Sequence, residues 1–290
     1  MPPSPPQSHP PLSFLAVCGM MLLAFALAAG WLALDLSGSR DRIIEERSRL
    51  AAQKSQFMSQ WFGTTILTTD YVLRDVLGRI STDDLVYPDP DPDHFQRMRA
   101  MLAEKTASLP AILDIAVYNK DCVFTATGSR PVDGFRSRQV FCATPDAKVS
   151  SDSYVQYMPT EKSASKRPVI LISRNLVTQE GRLVGGALAA LDLDQAQEWI
   201  ADFQVDPHDV LAMVDIQGIL LARNPPIPDA IGTITPPPPG QPAFGSARAS
   251  ATFVAVSPLD GRERIFGVSK IEQIPVAIIV GFDKASALAE

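Results

Sequence analysis

Side chains able to do catalytic or metal-binding chemistry are few in this chain, and they lie far apart. The only histidines are His9, His94 and His208. A metal centre or a nucleophile–base pair needs several such groups at short spacing, yet H-E-x-x-H, G-x-S-x-G and G-x-x-x-x-G-K-[ST] do not occur. The expectation is therefore a chain that is not an enzyme, with no catalytic residues, no metal and no cofactor. The three cysteines carry the remaining covalent chemistry. Cys18 lies in an apolar run and reads as a small packing residue. Cys122 and Cys142 flank VFTATGSRPVDGFRSRQVF. A bond between them would stabilise by about 3 kcal/mol and would suit an oxidising periplasm. The alternative is two unrelated buried thiols. Neither C-x-x-C nor Cys/His ligand spacing is present.

The elements that must position these groups begin with an apolar segment. Residues 1–34 contain no Asp, Glu, Lys or Arg, and residues 12–34 (LSFLAVCGMMLLAFALAAGWLAL) are almost wholly apolar. At 1.5 Å per residue this run covers roughly 30 Å, the hydrocarbon thickness of a bilayer. Trp31 lies where an interfacial aromatic belongs. Ala26-Leu27-Ala28 resembles a signal-peptide cleavage site, but the preceding MPPSPPQSHPP lacks a basic region and the apolar run continues past it. An uncleaved anchor is the favoured reading.

Apolar residues make up 46% of the chain and charged residues 20%. The polar remainder can therefore bury a core. The net charge is −6 and no basic run occurs, so nucleic acid is not an expected partner. From 37 to 80 apolar residues recur at steps of three, four and seven, from Ile43 and Ile44 through Met58 and Phe62 to Val76 and Ile80, with no proline. This predicts a long helix, loosened from the anchor at Ser37-Gly38-Ser39. PDPDP (88–92) reads as a loop, and Asp93 as the cap of a helix over 94–109. Strands are expected at 113–118, 122–125, 169–174 and 183–191, then a short helix over 192–203. A second series follows at 210–215, 219–223, 251–256, 265–270 and 276–282, interrupted by a proline-rich stretch (225–242). Pro236 to Pro239 reads as a stiff surface loop. The repeat predicts two related α+β modules, each an antiparallel sheet with helices to one side.

Five stretches in this order carry a family resemblance: WFGTTILTTDYVLRDVL, LPAILDIAVYNKDC, RPVILISRNLVTQEGRLVGGALAALDLDQ, VLAMVDIQGILLARNP and GVSKIEQIPVAIIVGFDKASAL. Together they resemble the double Cache (dCache) module, the PAS-like extracytoplasmic input domain of bacterial transmembrane receptors. The resemblance covers roughly residues 40–286 and is closest to sensors fused to GGDEF diguanylate cyclases or histidine kinases. It implies an α+β fold with an N-terminal transmembrane helix, a long stalk helix and two tandem PAS-like modules around central antiparallel sheets. The implied divisions are a cytoplasmic tail (1–11), the membrane helix (12–35), the stalk (36–82), a membrane-distal module (83–200) and a membrane-proximal module (201–286). It also implies a bacterial inner-membrane receptor with a periplasmic sensor, a homodimer formed through the stalk, and a small-molecule ligand in the distal module. Such receptors continue into a second membrane helix and an output domain, whereas this sequence stops at Glu290. A membrane-tethered scaffold or binding protein that does not sense is the competing reading.

Within the distal module the residues that would meet a ligand are Asp192, Arg174, Tyr118, Tyr154 and Tyr157. In amino-acid-binding members an aspartate in the place of Asp192 holds the ligand's ammonium. Arg174 could meet a carboxylate bidentately. The arginine-then-Trp-Tyr element of that subfamily is missing. Arg136 and Arg138 lie nearby without the aromatics, so an amino-acid ligand does not follow. Each candidate also has a structural reading. Asp192 can cap the next helix, Arg174 can pair with Asp192 or Glu180, and the tyrosines can be half-buried strand residues.

Overall fold

The structure is a computed structural model of the 290-residue chain. It describes residues 12–129, 133–137, 153–160, 162–163, 165–203, 206–227, 229–238, 240–241, 250–272 and 274–289.

One helix, α1 (Leu12–Arg79), holds both the apolar segment and the stalk. Its 68 residues correspond to about 100 Å. The expected loosening at Ser37-Gly38-Ser39 does not occur. Ser37 Oγ donates to the Leu34 carbonyl at 2.9 Å and Arg42 Nε to the Gly38 carbonyl at 3.2 Å, so the side chains bond back into the helix instead of breaking it. The N-terminal part is long and apolar enough to cross a membrane, and its most apolar window has nothing packed on it. Further along, Ala51, Met58, Phe62, Ile66, Leu73 and Val76 are buried. Their steps of seven, four, four, seven and three draw a single helical stripe. Phe57, Leu67 and Tyr71 face outward.

After a short 3-10 turn (Asp83–Leu85) comes α2 (Pro92–Ala107). Its cap is Asp91, two residues before the expected Asp93. The Asp91 carboxylate accepts the N–H groups of Asp93 and His94, and Pro92 occupies the first turn, where its missing N–H costs nothing. The first sheet holds β1 (Ile112–Asn119), β2 (Phe124–Thr127), β3 (Ser153–Met158), β4 (Val169–Val177) and β5 (Leu183–Asp192), in the order β2-β1-β5-β4-β3. α3 (Leu193–Asp202) then leads to the second sheet. That sheet holds β6 (Val210–Asp215), β7 (Leu220–Asn224), β8 (Ser250–Val256), β9 (Glu263–Lys270) and β10 (Val276–Asp283), in the order β7-β6-β10-β9-β8. α4 (Lys284–Ala289) closes the described chain. Each sheet thus has five antiparallel strands in the same topology, one strand more in the first module than the sequence pattern predicts.

The duplication extends to the turns. In the β1–β2 turn Asn119 Oδ1 accepts N–H groups from Asp121 and Val123, both at 3.0 Å. In the β6–β7 turn Asp215 Oδ1 accepts from Gln217 and Ile219, both at 2.8 Å. The last turn residue has a positive φ in both, 61° at Cys122 and 90° at Gly218. Glycine is free to adopt that conformation, whereas a cysteine is strained by it. Cys122 is disulfide-bonded. Its expected partner, Cys142, lies outside the described residues, as do Arg138 and the side chain of Cys18.

Both sheets pack one face on α1. The second sheet meets the part of α1 nearer the apolar segment, where small residues permit close approach. A Cβ on Gly267 would fall 2.3 Å from the backbone of Ala51, and Ser55 Oγ lies 2.9 Å from Ser269 Oγ. Between the modules, α3 packs its Trp199 edge-on to Trp61, with ring centroids 5.0 Å apart, and Phe62 and Phe203 complete the aromatic cluster.

Candidate ligand site

Side chains alternate across a strand, so register decides which groups meet. In the first sheet Ile115, Val117, Ile170, Ile172, Ala187 and Ala189 join the core shared with α1. The opposite face carries Asp114, Ala116 and Tyr118 from β1, Val169, Leu171 and Ser173 from β4, and Leu188 and Ala190 from β5, paired directly across the strands.

A cavity of about 60 Å³ lies on that opposite face. Its floor is Ala116, Leu171, Leu188 and Ala190, and its walls include Phe124, Phe135 and Met158. The polar lining residues are Asp114, Ser137, Lys162, Ser163 and Ser165. Asp114 is 8% exposed, and its Oδ1 accepts N–H groups from Ile115 and Ser129, each at 2.9 Å. Ser163 and Ser165 hydroxyls lie 2.7 Å apart. The volume is well below the roughly 300 Å³ where pockets for drug-sized ligands begin, so the cavity suits a small molecule. Residues 138–152, between β2 and β3, lie outside the described residues.

The five residues expected from the sequence divide between the two faces. Tyr118 and Asp192 share the cavity's face, as does Tyr154 through its pairing with Ser173. None of the five is among the described cavity-lining residues. Tyr118 is fully buried and donates to Asn175 Oδ1 at 2.7 Å. Burial drives its phenol pKa upward, so it stays a neutral donor. Its ring fits against Gly186, where any Cβ would collide with the phenol. Tyr154 is on the edge strand, 36% exposed. Asp192 caps α3, accepting the Asp194 N–H at 3.0 Å, and its other oxygen binds Arg167 Nη1 at 3.0 Å.

Arg174 and Tyr157 lie on the stalk side of the sheet. Arg174 pairs with neither Asp192 nor Glu180. Its Nε donates to Asp70 Oδ1 at 2.6 Å and its Nη2 to Asp70 Oδ2 at 3.2 Å, joining β4 to α1. Ser153 and Arg74 also donate to Asp70. Burial alone would raise the Asp70 pKa, but these donors and the Arg174 charge hold it below the usual carboxylate range. The Tyr157 hydroxyl reaches toward Gly232 of the second module, 2.9 Å from where a Cβ would stand.

Asp114, Phe124, Lys162, Ser163 and Ser165 line the cavity, and their residue types alone do not mark them out in the sequence. Asp114 had one sequence signal, its parity with Tyr118 on β1. Among the described residues no cluster of His, Cys, Asp and Glu could hold a metal ion.

No family model matches the chain, and no curated protein matches it in sequence. Solved structures do match in fold. The extracellular domain of rpHK1S-Z16, a protein described as a histidine kinase, gives a TM-score of 0.64 at 20% identity, covering 84% of this chain and 98% of that one. The periplasmic sensory domain of the Campylobacter jejuni chemoreceptor Tlp1 gives 0.64 at 11% identity, with the same coverage. The sensory domain of the C. jejuni chemoreceptor Tlp3, with isoleucine bound, gives 0.60 at 12% identity over 87% of this chain and 98% of that one.

Proposed function

We propose that this chain, whose fold is that of double Cache sensory domains, is the ligand-sensing input region of a membrane receptor. The fold, the apolar part of α1 and the cavity support a bacterial inner-membrane protein with its modules in the periplasm. The first module is the membrane-distal one, because α1 meets the second module nearer its apolar end. A small amphipathic molecule binds in the first-module cavity. Its apolar part rests on Ala116, Leu171 and Leu188, and a hydroxyl or ammonium donor meets Asp114, the sole carboxylate among the described lining residues. Solved neighbours are complexes with L-isoleucine, L-leucine and L-serine, so amino acids belong in the first screen. In this chain Arg174 is engaged by Asp70 and does not face the cavity, so a carboxylate clamp from β4 is not part of the reading.

The observation that carries the proposal is the sheet itself. One face lines the cavity, and the other holds α1 through the Arg174–Asp70 pair. A ligand with different affinity for two arrangements of this sheet shifts the helix with it. The outward residues Phe57, Leu67 and Tyr71 offer a face on which a second copy's stalk packs to give a homodimer. The test is thermal unfolding of the full chain in lipid nanodiscs with amino acids, amines and short organic acids. A true ligand at about a hundredfold its Kd stabilises by about 2.7 kcal/mol, and Leu188→Trp, which fills the cavity floor, removes that gain. Failure of every compound, or an undiminished gain in Leu188→Trp, would overturn the assignment.

A further inference from the structure

The second sheet carries its own cavity, of about 50 Å³, on the face away from α1. Ala212, Phe253, Phe266 and Ile279 give it apolar walls, and Thr235, Pro236 and Pro238 of the segment after β7 close it. The proline-rich stretch is therefore more than a surface loop. Thr235 and Pro238 are buried, and prolines bring no N–H group needing a partner to this wall.

Three polar side chains interrupt the apolar lining, Arg223, Thr235 and Ser257, and the Ser257 hydroxyl is already engaged by the Leu259 N–H and by Asp260. Arg223 is 3% exposed. Its Nη1 donates to the Pro225 carbonyl and its Nη2 to Asp260 Oδ2 at 2.7 Å. A guanidinium has five N–H donors, so these two bonds leave capacity over. Asp260 also receives Arg264 Nη1 at 2.6 Å. Two guanidiniums thus share one carboxylate, and the cluster keeps one positive charge in a largely buried setting. Thr235 is 5% exposed, and its Oγ1 has no hydrogen-bond partner among the described residues. Buried polar atoms are nearly always paired, so an unpaired hydroxyl lining the same cavity as a cationic guanidinium calls for an acceptor. The described lining residues include no Asp or Glu that would repel an anion.

We infer that this second-module cavity binds a small carboxylate, whose oxygens accept from Arg223 and the Thr235 hydroxyl while its short chain lies against Ala212, Phe253 and Ile279. The apolar walls favour such a molecule over an inorganic anion, and the volume limits it to a short chain. The site is separate from the first-module cavity and does not depend on that cavity binding anything.

Calorimetry of the full chain in nanodiscs tests this with sodium acetate and sodium propionate. Propionamide serves as the uncharged isostere and sodium chloride as the inorganic anion. One of the two carboxylates should bind saturably, and propionamide about tenfold or more weaker, the factor a charge-assisted bond supplies. Thr235→Val, which keeps the shape, should weaken binding about tenfold, and Arg223→Gln should abolish it. Leu188→Trp, in the other module, should leave it intact, so that failure here and failure of the first-module site are told apart. No saturable binding, equal binding of propionamide or chloride, or unchanged affinity in Thr235→Val would each overturn the assignment.

Discussion

Arg174 of β4 and Asp70 of α1 form a two-point ion pair, with Nε–Oδ1 at 2.6 Å and Nη2–Oδ2 at 3.2 Å. Their side chains are 15% and 8% exposed. Removing one partner of a pair this sheltered leaves a charge without its counter-ion, which costs about 3–5 kcal/mol in buried cases. Asp70→Asn should therefore lower the thermal midpoint by several degrees. Asp70→Asn combined with Arg174→Met should recover part of the loss, since both charges are then gone. A double mutant less stable than the single would show that the pair does not hold the sheet to the stalk.

The contact between Gly267 and Ala51 supports a second expectation. Any side chain at Gly267 must push α1 away from β9, because its Cβ would lie 2.3 Å from the helix backbone. Gly267→Val should cost about 1–3 kcal/mol, as overpacking does. Gly78→Ala is the contrast. It lies in the same helix, with nothing within 4 Å of the added carbon, and should stabilise by up to about 1 kcal/mol. Equal effects of the two, read by thermal unfolding, would contradict the packing described.

The long helix and nearly every strand were legible in the sequence because their periods of 3.6 and 2 are well marked. β3 was not. It is an edge strand in which only Val155 and Met158 are buried, so SYVQYM carries too little alternation to stand out. The placement of Arg174 was illegible for another reason. VILISR is apolar at both parities because the strand is covered on both faces, and only Asp70, 104 residues earlier on a different element, reveals which way the arginine turns. The cap of α3 could be read from DLDQAQEWI alone, and Asp192 does cap that helix, with Arg167 on its second oxygen.

The disulfide at Cys122 gives a third prediction. Peptide mapping of protein exported to an oxidising compartment should find Cys122 joined to Cys142. Replacing both by serine should cost about 3 kcal/mol. Free thiols at both positions would remove the pairing and weaken the periplasmic placement.

Acid stability follows from the carboxylates. Burial alone would raise the Asp260 pKa, but bonds from Arg264 and Ser257 and the Arg264 charge hold it at about 2. Asp70 is lowered in the same sense. A carboxyl lowered on folding contributes fully above its unfolded value near 4, and the contribution is lost as pH falls through the folded value. Asp260 is partly exposed, so solvent screening reduces its contribution, which is lost between about pH 4 and pH 2. Asp209 and Asp215 are raised by burial and act in the opposite direction over higher pH. Asp260→Asn should therefore be less stable than the wild type at pH 7 and should lose less on moving to pH 3. Parallel pH curves for the two proteins would refute this.

Because α1 runs unbroken from Leu12 to Arg79, its two ends share one angular phase. Each residue advances the helix by about 100°. A single residue inserted between Leu36 and Ile43 would turn the apolar segment through that angle beneath both sheets, with neither sheet disturbed. Seven inserted residues would bring it back to within about 20°. The azimuth of the apolar segment is thus set by contacts at Ala51, Ser55 and Asp70, and it can be reset, residue by residue, like the hand of a clock.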